Sequence, residues 1–516
     1  MLASDKSSGL IARTRWHAIV PGAALAACVW LVLGCAVGPK YVRPTVETPS
    51  SYKEHGAGNQ VIAAGWKPSE PKDDKIRGSW WQVYDDAKLN DLEETLDASN
   101  QNIAAAEANF LAARARVSEA RAQYFPAAST NPSIVNSRPS PAQFGGLQSL
   151  ATSSGGGLSV KSFTSYSLPF DASWEPDFWG RIRNGARASA FAAQASAADL
   201  QSVRLSSQAE LAADYCELRG QDSLKQLFDA TVTAYQESVD LTRNRFKAGL
   251  ENDEAVAQAE AQLKAAQAQD ANVNILRAQY EHAIAVLLGK SPASFSLPVE
   301  PLTANTANST TVPIGVPSDL LERRPDIAQA ERVMAEANAQ VGVAKSAFFP
   351  IVTLSAAAGF GNSSFGEWLT WPSRFWSVGP AAAQAIFDAG LRRATVRQYR
   401  AQYDAAVAGY RETVLTAFQQ VEDNLASLRF LTDVIDRQQE AVEAAQRNLQ
   451  VASIRYRSGV DPYLNVITAQ TVLLNDQQAL VNYNVERRIV SIQLIKALGG
   501  GWDLSRLPSG KNVRGN

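Results

Sequence analysis

The residue types that most often carry catalysis or bind metals are few and scattered along this chain of 516 residues. The three histidines, His17, His55 and His282, lie far apart and form no paired motif. The sequence also lacks a glycine-rich phosphate-binding loop and a GxSxG nucleophile turn. We therefore expect no enzymatic activity, no metal site and no cofactor.

Cys35 is the residue whose context predicts a chemical modification. Basic residues open the chain, an apolar run follows over residues 18–33, and Gly34 stands directly before the cysteine. This arrangement resembles a bacterial lipobox, so residues 1–34 are predicted to be a signal peptide and Cys35 to be acylated. Ala36 stands where an aspartate would mark inner-membrane retention, which implies sorting to outer-membrane lipid. The alternative, a membrane-spanning anchor, needs a longer apolar run without proline or glycine.

Charge and cysteine content exclude two further classes of protein, those that bind nucleic acid and those held by a disulfide framework. The net charge is −2 and the pI about 6.1, so the sequence carries no electrostatic signature of a nucleic-acid partner. After removal of the leader, Cys216 is the one cysteine besides Cys35, which leaves no intrachain disulfide framework. We expect Cys216 to be a small packing residue.

The elements that organise the chain are two copies of one long helical hairpin, over residues 180–289 and 390–499. Glycines at the start, turn and end of the first copy recur 210 residues later in the second. Three landmarks at one spacing predict an internal duplication. The turn residues of interest are Arg245, Phe246, Gly249 and Leu250 in the first copy and Arg455, Tyr456, Gly459 and Val460 in the second.

Helix lengths predict how each copy packs. The first arm of about 65 residues is longer than its return arm of about 37, and a helix over residues 89–123 supplies the difference. One long helix should therefore pair with two shorter helices stacked end to end. The second copy repeats this over 391–457, 462–498 and 327–347, with a shorter third helix.

Two segments, 127–179 and 351–387, alternate apolar and polar residues as half-buried strands do. Each segment offers two strands, joined by turns over Gly145–Gly157 and Gly359–Gly366. Four strands are too few to close a barrel, and an open sheet in a bilayer leaves backbone groups unpaired. Either the strands are ordinary soluble hairpins, or three chains pool twelve strands into one barrel.

The remaining boundaries follow from composition. Residues 35–88 are predicted to be a lipidated, extended N-terminal segment, and residues 89–289 form the first repeat. A linker over 290–326 leads to the second repeat, 327–499, and a polar tail follows over 500–516.

Several motifs together resemble those of the TolC/OprM-like outer membrane factors, in the lipoprotein branch often labelled NodT-type. They are Cys35 to Tyr41, Trp80-Trp81 with Tyr84 to Asp86, Trp174 to Arg181, Arg323 to Ile327 and Ile386 to Gly390. The resemblance implies a mainly helical fold with membrane strands: duplicated hairpins forming a periplasmic α-barrel, and four strands per chain pooled into a 12-stranded trimeric outer-membrane β-barrel. It implies a homotrimer that acts as a passive export duct, reached from an inner-membrane efflux transporter through a periplasmic adaptor.

The resemblance also places the two hairpin turns at the periplasmic tip, where the adaptor docks and the resting tube closes. Relatives carry acidic rings just past the second turn; here Asp461 remains, while Asn465 and Thr468 stand where aspartates are common. Asp461, Tyr463, Leu464, Asn465 and Thr468 are the candidates for the pore constriction. The alternative for Asp461 is a helix N-cap before Pro462.

An aromatic group at the strand–helix junction has two interpretations. Membrane-interface residues and ordinary packing residues both fit Trp174, Phe178, Trp179, Phe375 and Trp376.

Three function classes follow from these features. The export duct accounts for the leader, the strands and the duplication. A periplasmic adaptor or coiled-coil scaffold accounts for a hairpin but not for two at a fixed offset, and an enzyme has no supporting motif.

Overall fold

The computed structural model describes residues 37–49, 51–56, 79–138, 140, 162–302, 323–501 and 507–508. The predicted signal peptide, Cys35, the turn Gly145–Gly157 and most of the C-terminal tail lie outside these residues. Within them the chain is mainly helical with one antiparallel sheet. The predicted combination of duplicated helical hairpins and a few strands is therefore confirmed.

A short helix, α1 (Ala87–Ser99), precedes two sets of three helices with matching lengths. The first set is α2 (Gln101–Ala122), α3 (Arg181–Lys247) and α4 (Asp253–Leu287), of 22, 67 and 35 residues. The second set, α5 (Pro325–Ser346), α6 (Leu391–Arg457) and α7 (Tyr463–Ala497), has the same three lengths. The expectation of a shorter third helix in the second copy is wrong. At 1.5 Å per residue, α3 and α6 are each about 100 Å long.

The predicted helix over residues 89–123 is interrupted at Asn100. Asn100 has extended backbone angles, and its side-chain oxygen accepts hydrogen bonds from the backbone N–H groups of Asn102 and Ile103. Asparagine is a strong N-cap because its side chain satisfies these otherwise unpaired donors. A new helix therefore begins here, and the prediction of one continuous helix is wrong.

The start of α2 is joined to the end of α4 by hydrogen bonds. Asn100 Nδ2 donates to the carbonyl of Leu287 (2.8 Å), and Ser99 Oγ donates to the carbonyl of Leu288 (2.8 Å). Gly289, with φ of +64°, lies so close to Ser99 that an added Cβ would overlap its carbonyl. Both α2 and α4 pack against α3, so one long helix pairs with two stacked ones.

The second copy makes the same joint with different chemistry. Arg324 Nη1 donates to the carbonyl of Ala497 (3.0 Å), which lies 210 residues after Leu287. The guanidinium also pairs with Asp326 (2.6 Å). Gly499 has φ of +95°, and an added Cβ would overlap the carbonyl of Arg323. Both copies thus have a side-chain donor at the N-cap of the short helix and a glycine after the returning helix. The donor is asparagine in the first copy and arginine in the second.

The strands form one antiparallel sheet. β1 (Ala127–Thr130) and β2 (Ser133–Ser137) pair with successive parts of β3 (Phe163–Trp174), and together they act as one interrupted strand. β3 pairs with β4 (Ile351–Asn362), and β4 pairs with β5 (Arg374–Ala383). Each half therefore contributes two strand positions. Within the described residues, the outer edges of β1–β2 and of β5 have no strand partner.

The second predicted turn begins too early in the sequence. Gly359 lies inside β4, opposite Pro169 of β3, and an added Cβ would overlap the carbonyl of Leu168. The glycine lets β4 approach β3 closely beside the proline. A glycine with this function inside a strand looks like a turn residue in the sequence. The connection that follows β4 contains two short 3₁₀ turns, Phe365–Glu367 and Trp371–Ser373.

The N-terminal segment lies along the helices. The Val37 N–H donates to the carbonyl of Trp179 (3.1 Å), and Asn184 donates to the carbonyl of Val37 (3.1 Å). Further along, Arg43 donates to the Tyr410 hydroxyl (3.1 Å). These contacts fix the segment at the strand-proximal end of α3 and beside α6.

The largest hydrophobic cluster surrounds the joint between α2 and α4. It includes Trp80, Leu96, Tyr215 and Cys216, and the cysteine is 3% exposed. Burial raises the pKa of the Cys216 thiol to about 11. Among the described helices, none has an apolar stretch long enough to cross a bilayer.

Replacing Gly289 by alanine should lower the thermal unfolding midpoint of the detergent-purified protein. An L-residue at positive φ costs roughly 1–2 kcal/mol, and the overlap with Ser99 adds to that cost. Gly409→Ala is the matched control, because Gly409 lies in α6 with open space around its Cα. Alanine there should stabilise by roughly 0.5–1 kcal/mol. Equal midpoints for the two variants would contradict the joint.

Candidate functional site

The two hairpin turns have the same backbone geometry. Gly249 and Gly459 have φ of +72° and +73°. In each turn the residue after the glycine donates its N–H to the carbonyl of an arginine, Leu250 to Arg245 and Val460 to Arg455 (both 2.9 Å). This is a Schellman motif, in which glycine avoids the Cβ penalty of the left-handed conformation. Nothing lies within 4 Å of an added Cβ at either glycine, so both turns are open on one side.

Arg245 links the turn of the first hairpin to that of the second. Its Nη1 donates to the carbonyl of Arg457 (3.2 Å), and its Cζ lies 4.9 Å from the centre of the Tyr456 ring. A guanidinium over an aromatic ring is held by the ring quadrupole, by about 0.5–1 kcal/mol at exposed sites. Among the described residues, the second copy shows no matching bridge. Arg455 pairs with Asp461 of its own turn (2.6 Å), whereas Arg245 lies farther from the equivalent Glu251 (3.9 Å).

Tyr456 and Tyr463 lie inside the contact between the two hairpins. They are 2% and 3% exposed, and their ring centroids are 5.1 Å apart. The Tyr456 hydroxyl donates to Thr242 Oγ1 of the first hairpin (3.4 Å). Burial raises the pKa of Tyr463 to about 12, so both phenols stay neutral at physiological pH. Tyr235 and Val239 of α3 pack in the same cluster. We call the three tyrosines and Val239, together with Arg245 over the Tyr456 ring, the tip latch.

Polar contacts continue the tip latch away from the turns. Gln470 Nε2 donates to Ser238 Oγ (3.1 Å), and Gln262 Nε2 donates to Thr471 Oγ1 (3.0 Å). Both bonds join the first hairpin to the second.

Apolar side chains stay exposed at the tip. Leu250 and Val460 are 67% and 62% exposed, and Phe246 is 42% exposed. Phe246 and Tyr456 occupy equivalent positions, 210 residues apart, yet one faces out and the other is buried. The duplication is therefore broken at the turn, where the first copy presents an aromatic side chain outward.

Four of the five predicted constriction residues lie on two different faces of α7, and Asp461 precedes the helix. Leu464, Asn465 and Thr468 share one exposed face of α7, and the Thr468 hydroxyl donates back to the Leu464 carbonyl (2.9 Å). Tyr463 lies on the opposite face, in the tip latch. The structure thus brings three of the five residues together and separates Tyr463 from them.

Asp461 accepts hydrogen bonds from Arg455 Nε (2.6 Å) and Nη2 (3.0 Å). This guanidinium holds the pKa of the Asp461 carboxyl below its ordinary value, so the pair persists until the pH falls below the usual range for aspartate. The N-cap residue of α7 is Pro462, and among the described residues no side chain caps the helix. The N-cap alternative for Asp461 is therefore wrong.

Sequence reasoning missed Thr242, Tyr235 and Ser238. All three lie on α3. Thr242 and Ser238 are hydrogen-bonded to residues more than 200 positions away, and Tyr235 packs in the same cluster. The periodicity of one helix gives no signal for such a partner. Which residues of α3 contact the second hairpin depends on which faces of the two hairpins pack together.

The aromatic residues at the strand–helix junction differ in exposure. Trp179 stacks on Phe349 (4.7 Å between centroids) and donates to the carbonyl of Pro350 (2.8 Å). Trp376 is 77% exposed on β5. Trp179 therefore packs at the junction, while a membrane-interface role for Trp376 stays a prediction. In the part of the chain described, no three metal-ligating side chains come together.

Comparisons with known proteins identify relatives over most of the chain. The family model described as "Outer membrane efflux protein" matches residues 92–290 and 316–500. The probable efflux pump outer membrane protein TtgC of Pseudomonas putida is 31% identical over 479 residues, covering 93% of this chain and 95% of that protein. The cation efflux system protein CusC of Escherichia coli is 28% identical over 479 residues, covering 92% of this chain and 98% of CusC.

Solved structures agree with these relatives. The outer-membrane channel OprN superposes with a TM-score of 0.80 at 30% identity, covering 91% of this chain and 100% of that one. A CusC structure gives a TM-score of 0.76 at 25% identity, covering 90% of this chain and 100% of that one.

The two neighbouring residues Tyr463 and Leu464 should respond differently to alanine. Deleting a buried aromatic side chain costs roughly 3–5 kcal/mol, whereas an exposed substitution usually changes stability by less than about 0.5 kcal/mol. Tyr463→Ala should therefore speed hydrogen exchange in peptides covering both turns, and Leu464→Ala should not. Mass spectrometry of deuterated peptides checks this, and equal protection in the two variants would refute the tip latch.

Proposed function

Because the chain belongs to the outer membrane efflux protein family, we propose that it is the outer-membrane channel of a tripartite efflux system. The observation that carries the proposal is a small sheet at one end of a helical rod about 100 Å long, whose two outer edges have no strand partner among the described residues. Such edges expose unpaired backbone groups, which a bilayer does not tolerate. They are satisfied when three copies pool their strands.

The assembly is a homotrimer in this proposal. Each chain supplies four strand positions, because β1 and β2 share one, so three chains give a barrel of twelve strands. Each chain also supplies two helical hairpins, so the periplasmic tube has twelve helix positions around it. A twelve-stranded barrel is wide enough to leave an aqueous passage.

The channel is a passive conduit, and an inner-membrane transporter supplies the energy. The relatives are named for toluene, solvents, antibiotics and cations, so the name of one relative does not fix the cargo of this chain. The periplasmic adaptor is the partner that meets the tip. Phe246, Leu250 and Val460 provide exposed apolar area there, and the open sides of Gly249 and Gly459 let a partner approach the backbone.

The gate is held by the tip latch. Arg245 and Tyr456 bind the first hairpin to the second within one chain, so opening the tube separates these contacts. The exposed face of Leu464, Asn465 and Thr468 lines the constriction. Asp461 contributes charge that Arg455 offsets, which makes this ring less acidic than a ring of free aspartates.

The N-terminus is anchored by acylated Cys35. Val37 is hydrogen-bonded to Trp179, next to the start of α3 and two residues from the proposed modification. The described residues therefore begin beside the strand–helix junction, two positions after Cys35. This position suits insertion into the periplasmic leaflet of the outer membrane.

Arg245→Ala should raise single-channel conductance or open probability several-fold in planar bilayers, because it removes the contact between the hairpins that lies nearest the turns. Arg243→Ala is the matched control, since Arg243 pairs with Glu260 (2.6 Å) inside the first hairpin. The control should conduct like the wild type. An unchanged Arg245→Ala channel would place the gate elsewhere.

Native mass spectrometry of the detergent-purified protein tests both assembly and anchoring. The wild type, expressed with its own leader, should be a trimer whose subunits begin at Cys35 and carry acyl mass. Cys35→Ser should lose the acyl mass and leave the leader uncleaved at that site. A soluble monomer or dimer would refute the pooled barrel.

A further inference from the structure

The helix ends nearest the sheet are unusually basic. The last eleven residues of α2 and α5 and the first eleven of α3 and α6 hold eleven Arg or Lys and two Glu. The whole chain has a net charge of −2. Positive charge is therefore concentrated at the end where the helices meet the strands.

Acidic side chains pair with several of these cations. Arg181 pairs with Glu175 (2.8 Å), Arg183 with Asp177 (3.2 Å) and Arg392 with Asp388 (2.5 Å). These pairs fasten the starts of α3 and α6 to the preceding segments. Each of these carboxylates forms an ion pair with its own arginine, and Asp388 lines the same cavity as Arg393, Arg397 and Arg400.

Five arginines in the same region are exposed and make no ion pair within the described residues. We call this group the arginine collar: Arg116, Arg187, Arg393, Arg397 and Arg400. Arg393, Arg397 and Arg400 follow one another at helical spacing on α6, with Arg393 in its first turn. A cation in the first turn is opposed by the helix dipole, so the helix itself does not explain it.

The collar lies at the depth expected for lipid headgroups. Arg400 is nine residues from the start of α6, which is roughly 14 Å along the helix. Between the collar and β5 lie Ile386 and Phe387, which are 95% and 88% exposed. Moving away from the sheet, apolar side chains are followed by arginines. Acyl chains and lipid headgroups follow one another in the same order in a bilayer.

We propose that the arginine collar binds the phosphate groups of anionic phospholipids in the periplasmic leaflet of the outer membrane. This inference rests on the proposed function, because it needs the sheet to sit in a bilayer. Guanidinium groups make bidentate hydrogen bonds to phosphate, and several cations beside an anionic surface act additively. The bound lipids seal the junction between barrel and tube and set the depth of the channel.

The test uses the detergent-purified full-length protein with phosphatidylglycerol or phosphatidylcholine, read by native mass spectrometry. The variant R393Q/R397Q/R400Q should lose phosphatidylglycerol affinity by roughly a hundredfold, which follows from about fivefold for each arginine. The control R411Q/R437Q/R447Q removes three exposed arginines of the same helix farther from the sheet and should retain the lipid. Phosphatidylcholine should bind weakly to all three proteins.

Unchanged phosphatidylglycerol retention in the collar variant would overturn the proposal. So would displacement of the lipid by inorganic phosphate in excess, which would make the collar a site for free anions. A shift of the reversal potential toward cation selectivity, with lipid retention unchanged, would assign these arginines to the channel lumen instead.

Channel formation in planar bilayers is recorded for the wild type and both variants as a separate readout. If the wild type forms no channel, the proposed function fails, whatever the lipid result. If all three form channels and differ only in lipid retention, the collar is supported on its own.

Discussion

The structure depends on one hydrogen-bonded joint that occurs twice. A side chain at the start of a short helix donates to a carbonyl at the end of a long hairpin, from Asn100 to Leu287 and from Arg324 to Ala497. Without this joint, α3 and α6 would each extend past their returning helices, and the part nearest the sheet would have no helix packed along it. At each joint a short helix continues the line of the returning helix toward the sheet. Each long helix therefore has a helical partner along its whole length. A glycine at positive φ is needed in both copies because backbone approaches backbone there.

Much of this architecture could be predicted from spacing. The glycine landmarks gave the duplication and the turns, because a left-handed residue at a helix end strongly selects glycine. The break at Asn100 was missed because the apolar periodicity continues through it, while capping depends on a single side chain. Gly359 resembles a turn residue in the sequence because glycine marks both turns and close contacts between strands. In both cases the sequence signal was present, but the choice between its meanings required the neighbouring strand or helix.

The candidate site was predicted in position more than in detail. The turn residues are where the repeat places them, but Phe246 and Tyr456, at equivalent positions, have opposite environments. A duplicated sequence predicts equivalence, and the functional difference lies in the departures from it. Arg245 reaches the other hairpin, whereas Arg455 is retained by Asp461. The two hairpins of one chain thus differ, with the first supplying the Arg245 bridge and the second supplying the paired rings of Tyr456 and Tyr463.

Cys216 has a practical consequence for following motion at the tip. In the mature chain proposed above, Cys35 is blocked as a thioether, so Cys216 is the single free thiol. It is buried, and its raised pKa leaves almost no thiolate at neutral pH. Maleimide reagents should therefore not react with it. The natural protein is therefore a nearly silent background for fluorophores or spin labels. A cysteine introduced at Leu250 or Val460, both widely exposed, would report distances between turns without further mutation of the chain.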